Sequence, residues 1–194
     1  MEKADETNAQ EKTIDSAALK KSEEQEQIID IKVDYLDIVK ARDNGELQEN
    51  VVRYNCNNEK RGTLHFYTKD GSLKLIEHVY NEYDHHEARD QYFVKDSMPF
   101  FIYFERKDWS FVEGSADEPA TKDKITEERY YLNAGNILQC LSKQYETVSD
   151  ADDNPRSEDI ANTNIDCPNG DELLTQYTIL AKHVDDKRNI GCLE

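Results

Sequence analysis

Hydrophobic positions fall into two rhythms along this chain. Ile28, Ile31, Tyr35 and Ile38 recur at helical spacing and mark one narrow apolar stripe. Ser22 with Gln25 fits a capping box, Glu23, Glu24 and Glu26 crowd the first turn, and Asn44-Gly45 is a stop signal. The pattern predicts a helix over about 23–43. Near the other end, Leu173, Tyr177, Leu180 and Val184 share one face, with Pro168 and Asn169 before them and Lys182, His183, Lys187 and Arg188 behind. They predict a second helix over about 170–186.

Between the helices the period shortens to two. Residues 51–56 have strand propensity, and an imperfect repeat follows. Its copies begin at Phe66-Tyr67-Thr68-Lys69-Asp70-Gly71, Tyr92-Phe93-Val94-Lys95-Asp96-Ser97 and Tyr130-Tyr131-Leu132-Asn133-Ala134-Gly135. Each is an aromatic pair, a polar turn and an outgoing apolar strand. Asp70-Gly71 supplies the positive φ angles of a tight hairpin. The dense run Phe100-Phe101-Ile102-Tyr103-Phe104 reads as a central strand covered on both faces. Three hairpins in series predict an α+β fold: an antiparallel β-meander of about six strands with an N-terminal and a C-terminal amphipathic helix.

Composition adds boundaries. Apolar residues make up 37% of the chain, below the roughly 45–50% of ordinary globular domains. The deficit lies in residues 1–27 and 146–164. Residues 1–22 are expected to be a flexible acidic tether, and 23–194 one α+β domain with an acidic linker at 146–164. With 24 Lys plus Arg against 42 Asp plus Glu, the net charge is −18. Such a surface repels phosphates and argues against nucleic-acid binding. No apolar run is long enough for a membrane helix. An acidic tether before a small β domain suggests export to the periplasm or cell surface, with membrane contact only through a lipid anchor outside this sequence. The alternative is cytoplasmic. Cys56, Cys140, Cys167 and Cys192 lack zinc spacing; they are either buried thiols or one or two disulfides, Cys140 with Cys167 being the first pair to expect.

The hairpin pattern of Phe66 to Leu73 resembles the tyrosine-rich repeats of the MORN-like, YwqK-type group. It is closer still to uncharacterised secreted or lipid-anchored β-meander proteins of Gram-negative bacteria. The resemblance covers residues 62–145, with Ser97 in place of a turn glycine and Pro99 in place of a Leu. It implies a β-rich scaffold and protein binding, and it carries over no catalytic residue.

Candidate chemistry is sparse. Asp84-His85-His86-Glu87 holds good metal ligands, but neighbours on an extended chain point apart, so His85 and His86 are weak candidates and no cofactor is expected. Asp150 to Asn154 begins like a calcium loop, then meets Pro155 and Ala161 where Gly and Glu belong. Pairs such as Glu127-Glu128 and Asp185-Asp186 are expected by chance among so many acids. No nucleophile elbow, zinc-protease, phosphate-loop or dinucleotide motif is present. The aromatics are the better clue. Tyr67, Tyr92, Tyr103, Trp109 and Tyr131 are expected to include an exposed recognition face for a protein or glycan. The leading expectation is a non-enzymatic binding module. An acidic inhibitor or immunity-type protein occupying a basic site is the alternative, and a metal-dependent hydrolase the third.

Overall fold

The repeat closes three two-residue hairpins, each with both central residues in the left-handed region. The φ angles are 52° and 75° at Asp70-Gly71, 51° and 63° at Asp96-Ser97, and 47° and 82° at Ala134-Gly135. This twist matches that of the flanking strands. The computed structural model describes residues 4–82, 84–112, 120–149 and 151–193. Its strands are β1 (Gln48–Cys56), β2 (Lys60–Lys69), β3 (Ser72–Glu82), β4 (His86–Lys95), β5 (Met98–Phe111), β6 (Thr121–Asn133), β7 (Asn136–Val148), β8 (Thr163–Asn164) and β9 (Arg188–Ile190). The helices are α1 (Ala4–Asp43) and α2 (Gly170–Ala181).

The expectation of six antiparallel strands is corrected. The strands form one nine-stranded sheet in the order β8-β7-β6-β5-β4-β3-β2-β1-β9, and it is mixed because β9 runs parallel to β1. The two added outer strands are two and three residues long, too short to show any periodicity. A disulfide fastens the chain beside each of them. Cys140–Cys167 lies next to β8, and Cys56–Cys192 next to β9. Each cystine therefore holds a short cover over an edge that would otherwise expose unpaired backbone groups.

Each repeat also carries a bulge at the same place. Register shifts between Tyr67 and Thr68, Phe93 and Val94, and Tyr131 and Leu132, opposite the extra residues Lys74, Phe100 and Leu138. The bulges increase local twist. Alternation then sends the first aromatic of every pair to one face and the second to the other. Phe66, Tyr92 and Tyr130 join Leu173, Tyr177 and Leu180 of α2. Tyr67, Phe93 and Tyr131 lie under Ile28, Ile31, Tyr35 and Ile38 of α1. The sheet is thus sandwiched between two helices, and among the described residues no broad aromatic face remains for solvent.

Helix α1 runs through Ser22 instead of starting there and includes most of the stretch read as a tether. Residues 18–23 are exposed, and sheet contact begins near Ile28. Helix α2 is capped by Asn169, whose side chain accepts from the Asp171 amide. The acidic stretch 146–164 begins in β7 and then follows the α1 face, where Asn154 bonds Val148 and Ala151 and Ser157 reaches the sheet.

Candidate functional site

Inward positions of β4, β5 and β6 beneath α1 carry charged and amide side chains among the aromatics. Arg89 and Gln91 point the same way as Phe93; Glu127 and Arg129 point the same way as Tyr131. A partly enclosed cavity of about 340 Å³ results, roofed by Ile31, Lys32, Tyr35, Val39 and Arg42. That volume suits a small ligand.

Glu127 organises one wall and is 1% exposed. Its carboxylate accepts from Ser157 Oγ at 2.6 Å, Tyr145 Oη at 2.9 Å and Arg129 Nη2 at 2.6 Å, and lies 3.3 Å from Lys143 Nζ. Burial disfavours its charge, but the bonds from Ser157, Arg129 and Tyr145 prevail and pull its pKa down to about 2. Four donors on two oxygens leave it no spare acceptor capacity. Arg89 donates to Glu105 at 2.8 Å, while its Nε is buried with no partner among the described residues. Arg42 pairs with Glu77 at 3.6 Å and with Asp43 at 3.0 Å. Lys32 pairs with no carboxylate among the described residues; its ammonium lies 5.8 Å from the Tyr131 ring centre. Tyr103 donates to Glu105 at 3.0 Å under the Arg129 guanidinium, 5.0 Å from its ring. Burial first, and the adjacent Glu105 and Glu127 charges next, push its hydroxyl pKa up.

The five aromatics named from the sequence do not form one face. Tyr103 and Tyr131 meet in the cavity. Tyr67 packs on the same side, half-buried, its hydroxyl beside Glu49, and burial pushes its pKa up to about 12. Tyr92 is on the opposite face, 1% exposed and against Phe104 and Tyr177. Trp109 stands apart at the end of β5, with His85 3.9 Å and Phe111 5.4 Å away between ring centres. The expectation of an exposed aromatic sheet face is corrected accordingly. Both faces are roofed, and among the described residues Phe111 is the aromatic that stands most open.

The weaker candidates also separate. His85 Nδ1 lies 3.2 Å from the Trp109 carbonyl, whereas His86 pairs with Asp108 at 2.7 Å. Among the described residues no group of three or more His, Cys, Asp or Glu is placed to hold a metal. Asp150 lies outside the described residues, and Asn154 of that segment is spent on backbone groups. Glu127 and Glu128 face opposite sides, Glu128 accepting from the Tyr130 hydroxyl at 2.8 Å.

The α2 face holds a second polar cluster. Tyr54 Oη and His78 Nε2 share a 2.9 Å hydrogen bond, and Arg106 donates to buried Asp90. Burial drives the His78 pKa down to about 3, so the ring is neutral, and burial raises that of Asp90. A wider cleft of about 630 Å³ opens beside it, over Tyr80, Phe104, Arg106 and Lys60.

Sequence reasoning missed Lys32, Arg42, Arg89, Gln91 and Arg129. A signal was present: charged and amide residues at core-facing positions of aromatic strands, where apolar ones are expected. Compared with known proteins, the chain matches no family model, no curated protein and no solved structure.

Proposed function

We propose that this protein is a non-enzymatic binding module whose recognition site is the cavity beneath α1. The carrying observation is the cavity's make-up. Rings of Tyr35, Phe101, Tyr103 and Tyr131 offer apolar contact, and polar groups of Arg89, Gln91 and Arg129 converge beside them. A structural core of this size would be filled with side chains. The hairpin resemblance, which implies a β-rich scaffold and protein binding and carries over no catalytic residue, supports the binding part of this reading. The two cystines support export to an oxidising compartment.

The test is an amide chemical-shift titration of the full chain with a panel of two-ring aromatic compounds. Shifts centred on Tyr35, Gln91, Tyr103 and Tyr131 are expected. Shifts confined to Trp109 and Phe111, or to the cleft beside α2, would move the site elsewhere.

A further inference from the structure

We propose that the cavity beneath α1 takes a small organic anion, an apolar ring body bearing one carboxylate or sulfonate; this rests on the reading of the cavity as the binding site. The lining carries four cations, Lys32, Arg42, Arg89 and Arg129, against one carboxylate, Glu127. That balance is opposite in sign to the chain as a whole, whose net charge is −18. Glu77, Glu105 and Asp43 pair with Arg42 and Arg89, and Glu127 with Arg129. Lys32 is left over, exposed at the rim.

The donor and acceptor inventory points the same way. Glu127 is saturated by Ser157, Tyr145, Arg129 and Lys143. Tyr103 already donates to Glu105, and Gln91 donates to Glu77. Free capacity is therefore mostly donor capacity, on Lys32 and on the buried Arg89 Nε. A sugar brings hydroxyl donors that find few acceptors here. A carboxylate or sulfonate brings only acceptors, and guanidinium groups bind them at close range. Ile31, Val39 and Phe101 supply the complementary apolar surface. A separate groove lined by Arg53 and Arg61 also carries cations, so substitutions at Lys32 and Arg89 are what assign an anion preference to this cavity.

The test compares two probes of the same shape, naphthaleneacetic acid and naphthaleneacetamide, by calorimetric titration of the full chain at low salt. The acid is expected to bind about tenfold more tightly than the amide, and salt to narrow the gap. Lys32→Gln, an exposed change without a lost ion pair, is expected to weaken the acid several-fold and leave the amide unchanged. Arg89→Gln is expected to weaken the acid further, with a thermal melt confirming the fold. Equal binding of acid and amide would overturn the anion inference and leave the cavity reading standing. Binding of neither probe to the folded chain would overturn both.

Discussion

Removing the Cys56–Cys192 bond, by Cys56→Ser with Cys192→Ser, tests how the sheet's β1 edge is held. The bridge joins residues 136 apart in sequence, and Cys140–Cys167 joins residues only 27 apart. On the chain-entropy relation, closing those loops in the unfolded state is worth about 5 and about 3.6 kcal/mol respectively. The native side of the ledger points the same way. Strand β9 has three residue pairs with β1, and Ile190 and Leu193 pack at the margin of the core. A tether lost there leaves little to keep the tail in place. Guanidinium unfolding at pH 7 of the parent and of each double-serine variant measures the costs, and a rise in the denaturant slope reports the more expanded unfolded chain. The outer bridge is expected to cost more, with amide protection of Val52 and Tyr54 falling before that of β4. A smaller cost for the outer bridge, or costs below about 1 kcal/mol for both, would refute the reasoning, because packing alone would then hold the tail.

Other predictions follow from single sites. Glu127→Gln removes a carboxylate whose folded pKa is held near 2 against an ordinary 4.5. Its stabilisation, on the order of 3 kcal/mol, is full above the ordinary value and lost as pH falls toward 2, so the variant should show a flatter acid limb in stability against pH. His78, held neutral with a pKa near 3 against 6.5, also favours the unfolded chain as pH falls through that window, while Asp90, raised by burial, acts oppositely. His78→Gln should therefore reduce the loss of melting temperature between pH 6.5 and 4, a range set by the same shift; an unchanged slope would count against it. Gly62→Ala would put a Cβ 2.6 Å from the Val79 carbonyl oxygen, 2.7 Å from Tyr54 Cε1 and 2.8 Å from Tyr80 Cβ. It should cost about 2–3 kcal/mol by chemical denaturation. Ser97→Gly should instead stabilise by about 0.5–1 kcal/mol, since Ser97 sits at φ 63° and the bond it receives from Tyr177 uses only its carbonyl.

Local chemistry was legible in the chain itself. Asp70-Gly71 and its two counterparts specify their turns because a two-residue hairpin needs positive φ, a property of neighbouring residues alone. The same holds for the α2 stripe of Leu173, Tyr177 and Leu180, whose period is written in consecutive turns. Strand alternation around the aromatic pairs told that two faces exist. It did not tell that both are covered, since cover depends on where α1 and α2 dock. The tyrosines expected in solvent, Tyr92 and Tyr131 above all, are buried for that reason. Tertiary structure alone decided the two outer strands, whose two and three residues carry no rhythm and whose positions follow from cystines closing long loops. It also decided the cavity. Lys32, Arg89, Arg129 and Ser157 are far apart in the chain, and only a helix laid across β4 to β6 makes them neighbours. Short-range sterics and hydrogen bonding thus set the pieces, and long-range burial chose which side chains would share a site.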